Sequence, residues 1–100
     1  MNKYNVYISR PAYNDLEEIY SYISSVLLSP DAALNTINQI EEAILSLETL
    51  PYRGSIRSIG TFATYRYRQI IVNNYIIVYE IKEDTQTVTI LAIKYFAVNF

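Results

Sequence analysis

The spacing of apolar residues in the first half of the chain predicts one short strand and two helices. Residues 5–9 are partly apolar and β-branched, which is typical of a strand. After Pro11, apolar residues return at steps of three and four, the spacing of an amphipathic helix that runs to about Leu27. A second helix with the same spacing follows Pro30 and ends before Pro51. The predicted apolar faces are Ala12, Leu16, Ile19, Ile23 and Val26 in the first helix and Ala33, Ile37, Ile40, Ile44 and Leu47 in the second.

Both helices carry start signals at their amino-terminal ends. Ser9 precedes Pro11, so its hydroxyl can cap the first helix, and a proline in the first turn sacrifices no helical hydrogen bond. Ser29 and Pro30 repeat this signal before the second helix. The first helix also has acidic side chains near its start, where they interact favourably with the positive end of the helix dipole. They are Asp15, Glu17 and Glu18.

The second half of the chain predicts three strands after a loop. Residues 50–62 show neither a helical nor a strand period and are interpreted as a crossing loop. Residues 65–81 are rich in β-branched and aromatic side chains and contain Asn73 and Asn74, which tolerate the positive φ of a tight turn, so they predict a β-hairpin. Residues 87–95 alternate as a third strand.

The hairpin allows two registers, which place its arginines on different faces. A two-residue turn pairs Val72 with Tyr75 and puts Arg66 and Arg68 on the face that looks like the core. A three-residue loop would place both arginines beside Ile76 on the opposite face and create a partial basic patch. The sequence pattern leaves both registers open.

These elements predict an α+β fold. An antiparallel helical hairpin alone would leave two apolar faces exposed to solvent, so we expect it to pack on the sheet. With the N-terminal strand, that sheet is predicted to be small, mainly antiparallel and four-stranded. The length of 100 residues suits a single domain, residues 1–100.

Composition narrows the chemistry. The chain has no cysteine and no histidine, so thiolate chemistry and the usual zinc ligands are excluded, and we expect no metal and no cofactor. Any catalysis must use tyrosine, lysine, arginine or carboxylates. The net charge of residues 1–50 is −5 and that of residues 51–100 is +3, so an anionic partner would approach the sheet half. No apolar run suggests a membrane span or a signal peptide, which predicts a cytoplasmic protein.

Three groups of residues resemble the RelE/ParE superfamily of bacterial type II toxins. Residues 8–23 show the superfamily's opening: a serine, then alanine, then Asp-Leu, then isoleucine and Tyr-Ile. The second helix and its exit are similar at Pro30, Ala33, Ile40, Ile44, Leu47 and Pro51. The sheet is similar at Tyr67, Arg68, Asn74, Tyr75, Ile77, Tyr79, Val88 and Ile90. The resemblance covers nearly the whole chain.

This resemblance implies a toxin that arrests growth unless a cognate antitoxin lays an extended or helical segment over its surface. RelE-type members cut messenger RNA in the ribosomal A site, whereas ParE-type members inhibit DNA gyrase. If the chain is a nuclease, the resemblance implies that Arg66, Arg68, Lys94 and Tyr95 are its catalytic candidates. Ile76, however, stands where nuclease members resemble one another in having arginine.

The missing arginine, the absent histidine and the pI of about 5.0 count against tight binding to ribosomal RNA and favour the gyrase-directed alternative. A RelE-like mRNA endonuclease, a degenerate toxin that still binds its antitoxin, and a binding module unrelated to toxins stay open. Predicted target contacts are Arg53, Arg57, Arg68, Lys94 and Tyr95. Predicted antitoxin contacts are Tyr95, Phe96 and Phe100.

Each of these residues also has a structural interpretation. Arg68 can pair with Glu17, Glu18 or another helix carboxylate beneath the sheet. Lys94 and Tyr95 end a strand, where a solvated lysine and a half-buried tyrosine are common. Arg53 and Arg57 lie in the predicted loop, where function concentrates but where arginines are often only polar surface.

Overall fold

The computed structural model describes residues 3–96, apart from the side chain of Tyr65. Two helices pack on one side of a five-stranded sheet, which confirms the α+β fold class. In chain order the elements are β1 (Asn5–Ile8), α1 (Arg10–Ser21), a π-helical turn (Tyr22–Val26), α2 (Pro30–Ser46), a 3₁₀ turn (Pro51–Arg53), β2 (Ser55–Arg57), β3 (Thr64–Val72), β4 (Tyr75–Lys82) and β5 (Thr87–Tyr95).

The first helix begins as predicted and changes its pitch near its end. The Ser9 hydroxyl accepts a hydrogen bond from the Ala12 N–H at 3.2 Å, which confirms the N-cap. From Tyr22 the backbone winds as a π-helix, whose wider turns rotate every later side chain relative to the α-helical stripe. Val26 therefore leaves the apolar face and is exposed, so its predicted place in the core is wrong.

The second helix confirms its predicted apolar face but not its cap. Ala33, Ile40, Ile44 and Leu47 are buried, and Ile37 is partly buried against them. Ser29 occupies the N-cap position with Pro30 following, yet its side chain makes no capping hydrogen bond. The predicted role of the Ser29 hydroxyl is therefore wrong.

The sheet has the strand order β1-β5-β4-β3-β2. β1 runs parallel to β5, and the other three pairs are antiparallel. The prediction of a four-stranded sheet missed β2, which lies inside the segment interpreted as a loop. β2 has three residues, and a register shift between Ile56 and Arg57 interrupts its pairing with β3, so it leaves no alternating pattern in the sequence.

The hairpin adopts the two-residue register. Val72 pairs with Tyr75 around Asn73 and Asn74, and Asn73 has a φ of 53°, the left-handed conformation that such turns require. Arg68 pairs with Tyr79 and so lies on the face that packs against the helices. The alternative with a three-residue loop is wrong.

Two apolar clusters occupy the two faces of the sheet. The larger one joins both helices to the sheet, and its fully buried side chains include Ile40, Leu47, Ile77, Tyr79 and Ile90. The smaller one lies on the opposite face, as strand alternation requires, and contains Ile76, Val78 and Ala92. Within residues 3–96, no helix is long and apolar enough to cross a membrane.

Candidate functional site

The first nuclease candidate, Arg68, is held by the loop before β2. Its Nη1 donates to the Gly54 carbonyl and, at 3.5 Å, to the Tyr52 carbonyl, while its guanidinium lies 4.9 Å from the centre of the Tyr52 ring. Glu17 and Glu18 are both exposed. The predicted pairing of Arg68 with a helix carboxylate is wrong, because the 3₁₀ turn places the carbonyls of Tyr52 and Gly54 against the guanidinium instead.

The second candidate, Arg66, lies at the exposed part of β3. Its side chain is 61% exposed and forms an ion pair with Glu80 on β4 at 3.1 Å. The same guanidinium lies 5.9 Å from the centre of the Tyr67 ring. Arg66 therefore faces solvent, and Glu80 on the neighbouring strand balances its charge. Such an exposed ion pair contributes little to the free energy of unfolding.

The two loop arginines differ in exposure. Arg53 is exposed, and its Nη1 donates to the Ser46 hydroxyl at 2.6 Å. Arg57 is only 4% exposed; its Nε donates to the Thr61 carbonyl at 2.9 Å and its Nη1 to Gln69 Oε1 at 2.8 Å. Arg57 thus ties residues 58–63 to β3, whereas Arg53 presents its charge at the surface.

Lys94 is paired with a buried carboxylate from α1. Its Nζ lies 2.8 Å from Asp15 Oδ1, while Asp15 Oδ2 accepts the Ile93 N–H at 2.9 Å. Asp15 is 7% exposed, so this carboxylate fixes α1 to the edge of β5. The sequence predicts Asp15 as a favourable charge near the helix start and as part of the Asp-Leu pair, but not as a buried ion-pair partner. Its position three residues after Ala12 and four before Ile19, within the apolar stripe, was the signal of a buried partner.

Tyr95 and Phe96 lie exposed beside the hairpin turn. The Tyr95 ring contacts the Tyr75 ring edge-to-face, with centroids 5.6 Å apart. Burial raises the pKa of Tyr75, and the nearby hydroxyls of Tyr95 and Tyr22 add to this effect. The Phe96 N–H donates to the Asn74 carbonyl. Phe100, the remaining predicted antitoxin contact, is outside the described residues.

The structure does not bring the four nuclease candidates together. Arg68 on β3 pairs with Tyr79 on β4, and Lys94 on β5 pairs with Ile76 on β4. Ile76 and Tyr79 are three residues apart, which is about 10 Å along the strand at roughly 3.3 Å per residue. The two backbone positions also alternate in direction, because residues 76 and 79 are an odd number apart, but the Lys94 ammonium reaches Asp15 on α1. Ile76, where nuclease members resemble one another in having arginine, is buried among Val78 and Ala92. The candidate cations therefore do not converge on one reacting phosphate.

A groove lies next to Lys94 and Tyr95. It has a volume of about 1170 Å³ and lies between the end of α1 with its π-turn and the end of β5. Its apolar and aromatic walls are Ile19, Ile23, Leu27, Tyr22, Tyr75 and Tyr95. Its charged groups are Asp15, Glu18 and Lys94. Such a surface suits an apolar ligand better than a polyanion.

A second polar cluster joins three segments at the far end of the sheet. Glu83 accepts hydrogen bonds from the hydroxyls of Tyr4, at 2.6 Å, and Tyr52. These bonds lower the pKa of Glu83, and the bond to Glu83 raises the pKa of Tyr4 to about 12. The cluster links Tyr4, just before β1, to Tyr52, whose ring lies against the Arg68 guanidinium. Among residues 3–96, no three carboxylates lie close enough together to hold a metal ion.

Several solved structures of proteins from toxin–antitoxin systems are similar to this chain. The chromosomal ParDE system of P. aeruginosa matches with a TM-score of 0.76 and 22% identity, over 93% of this chain and 96% of that chain. The RelBE2 complex of Mycobacterium tuberculosis matches with a TM-score of 0.69 and 18% identity, over 93% and 98%. The archaeal RelE–RelB complex of Pyrococcus horikoshii matches with a TM-score of 0.63 and 18% identity, over 96% of this chain and 98% of that chain. At these identities the likeness shows the fold.

The sequence itself identifies the family. No curated protein sequence matches the chain. Residues 6–96, however, match the family described as ParE toxin of type II toxin-antitoxin system, parDE. This match covers every helix and strand of the fold except the first residue of β1. The chain therefore belongs to the ParE toxin family of type II toxin–antitoxin systems.

Proposed function

We propose that this protein arrests bacterial growth in the ParE manner, by inhibiting DNA gyrase in the cytoplasm, and that a cognate antitoxin neutralises it. The observation that carries the proposal is the separation of Arg68 on β3 from Lys94 on β5, three residues apart along the intervening strand β4. Cleavage of RNA by its own 2′-hydroxyl needs cations and proton-transfer groups around one phosphate. Here each cation has a protein partner of its own.

The family match supports a gyrase-directed toxin, and the titles of the similar structures support an antitoxin partner. Arg53, Lys94 and Tyr95 stay our proposed target contacts, because each exposes part of its side chain. Arg68 stays a weaker candidate, since its guanidinium already braces the loop at Gly54. Arg57 is mostly buried and is better explained as a support for the loop.

Labelled precursors in living cells test this proposal. The protein is induced in bacteria without its partner, and incorporation of labelled thymidine and labelled methionine is followed over the first minutes. We expect thymidine incorporation to fail first, because blocked gyrase stops replication before it depletes messenger RNA. An earlier loss of methionine incorporation would contradict the proposal and favour a RelE-like nuclease. Unchanged incorporation of both labels in cells that contain folded protein would indicate an inactive toxin.

A further inference from the structure

The connection between the two helices presents three consecutive apolar side chains to solvent. Val26 is 63% exposed, Leu27 55% and Leu28 80%. We call these three residues the apolar tip. Single exposed apolar residues are ordinary at a protein surface, whereas a contiguous group is typical of a contact site. The tip also lies in an uncharged stretch, because residues 19–30 contain no aspartate, glutamate, lysine or arginine.

The backbone at Leu28 adopts a conformation that leucine disfavours. Its φ is 53°, in the left-handed region, where a Cβ crowds the following carbonyl oxygen and where glycine or asparagine is the usual residue at a helix end. The Ser29 N–H donates to the Ile23 carbonyl at 3.1 Å and so closes the helix end around Leu28. A glycine would fit the same backbone with less strain.

Asn73 and Phe62 show what normally offsets a left-handed backbone. Asparagine is a residue type that tolerates this region, and the Phe62 ring packs edge-to-face on Tyr67, with centroids 5.7 Å apart. Leu28 is neither a tolerant residue type nor packed into the protein, since four-fifths of its surface is open to solvent. Strained backbone of this kind clusters at functional sites, which indicates that Leu28 serves a partner outside the toxin.

The size and charge of the tip define the kind of partner. Three aliphatic side chains supply only part of the roughly 800 Å² per partner that a stable protein interface buries, so the tip alone cannot hold two copies of the toxin together. The nearest charged residues along the chain, Glu18 and Asp31, are acidic and disfavour a nucleic acid or an anionic membrane. A protruding, uncharged and apolar tip fits an apolar pocket within a larger protein interface.

The tip adjoins residues that are already proposed to contact the target. Leu27 lines the groove together with Lys94 and Tyr95, so these residues and the tip lie at the same end of the molecule. Val26 and Leu28 lie outside that lining. A target that covers Lys94 and Tyr95 therefore reaches Leu28 within one continuous interface.

We infer that Leu28, flanked by Val26 and Leu27, is the anchor that the toxin inserts into an uncharged apolar pocket of DNA gyrase. The inference rests on the proposed function and adds a specific contact to it. The left-handed backbone already holds the leucine out in solvent, so the side chain needs no rearrangement before it binds. The toxin thereby loses some stability and gains a preformed contact.

Replacing Leu28 by glycine separates this role from a role in the fold. Purified gyrase supercoils relaxed plasmid in the presence of the natural protein, Leu28→Gly, Leu28→Met or Gln86→Gly. Leu28→Gly is expected to raise the midpoint of thermal unfolding, because it relieves the left-handed backbone, and yet to need roughly tenfold more protein for half-inhibition. Leu28→Met keeps an apolar side chain of similar volume, and we expect it to inhibit within about twofold of the natural protein.

Gln86→Gly is the matched control for the relief of strain. Gln86 also has a left-handed backbone, with φ of 51°, but it precedes β5 and so lies at the opposite end of that strand from Tyr95. We expect this variant to raise the unfolding midpoint as well and to inhibit gyrase like the natural protein.

Two results would overturn the inference and leave the proposed function intact. A lower unfolding midpoint of Leu28→Gly would show that Leu28 serves the fold, and full inhibition by this variant would remove its role as an anchor. If the fully inhibiting variant also binds the product of the neighbouring reading frame more weakly in calorimetric titration, the tip serves the antitoxin instead. Failure of the natural protein itself to inhibit gyrase would refute the proposed function, and the inference would fail with it.

Discussion

Replacing Gly54 by alanine is expected to cost about 3 kcal/mol or more of unfolding free energy, the upper range for overpacking a filled site. A Cβ at this position would lie 2.6 Å from the Tyr79 hydroxyl, 2.9 Å from Ile70 Cγ2 and closer still to the Gln69 carbonyl oxygen. The backbone of Gly54 is extended, with φ of −81°, so the cost comes from space alone. Denaturant titration followed by circular dichroism measures the loss.

The same substitution also disturbs a buried hydrogen-bond network. The Tyr79 hydroxyl donates to the Pro51 carbonyl at 2.7 Å and accepts the Gly54 N–H at 3.2 Å, and burial raises its pKa. Ser55→Ala is the matched control, because the Ser55 side chain is exposed on the next residue; we expect a change within about 0.5 kcal/mol. Equal stability of the Gly54 and Ser55 variants would contradict the close packing described for this loop.

Replacing Asp15 by alanine is expected to destabilise the protein by about 2–3 kcal/mol. The substitution leaves the Ile93 N–H without its acceptor in a buried place, where a lost partner costs about 1–3 kcal/mol. It also removes the carboxylate that balances Lys94 and opens a small cavity under α1. Asp15→Asn keeps an oxygen for the Ile93 N–H, so its loss should be smaller, near 1 kcal/mol. Thermal and denaturant unfolding give both values.

Two further variants separate the contributions at Asp15. Glu18→Ala removes an exposed carboxylate from the same helix and should change stability by less than about 0.5 kcal/mol. Lys94→Ala removes the ion pair but leaves the hydrogen bond to Ile93, and since the Lys94 side chain is 39% exposed, its cost should stay below that of Asp15→Ala. Equal losses for Asp15→Ala and Lys94→Ala would contradict the role given to the Ile93 N–H.

Features encoded by neighbouring residues could be predicted from the sequence. Ser9 caps α1 because a short hydroxyl side chain can reach the N–H three residues later, whatever the rest of the chain does. The apolar face of α2 could be predicted from the helical spacing of its apolar residues alone. The turn at Asn73 and Asn74 was one of two alternatives, and the two-residue form keeps Ile70 and Ile77 together on the core face.

Features that depend on distant parts of the chain could not be predicted in this way. Val26 is exposed because the π-turn shifts the period, which no local residue signals. Arg68 bonds the Gly54 carbonyl because the 3₁₀ turn and β2 bring that oxygen under β3, and β2 is too short for a pattern of its own. Asp15 and Ile93 are 78 residues apart. The candidate site combines both kinds of feature: Lys94 and Tyr95 were predicted, whereas the groove around them was not.

Membership of the ParE family and the separation of the cations lead to one account of the activity. A nuclease must assemble its charges around a phosphate, but a protein that blocks gyrase by binding needs only a surface that fits its target. On our proposal, exposed side chains such as Arg53 and Tyr95 make the contacts with the target, and the buried residues Tyr79 and Asp15 hold the fold that presents them.

A supercoiling reaction with purified components tests the central claim most directly. Relaxed plasmid, ATP and DNA gyrase are mixed with increasing amounts of the folded protein, and the topology of the plasmid is read on a gel. Our account predicts that supercoiling falls as the protein approaches and exceeds the gyrase concentration, and that prior mixing with the antitoxin restores it. Full supercoiling at a large excess of folded protein, together with messenger RNA cleavage in a translating extract, would contradict it.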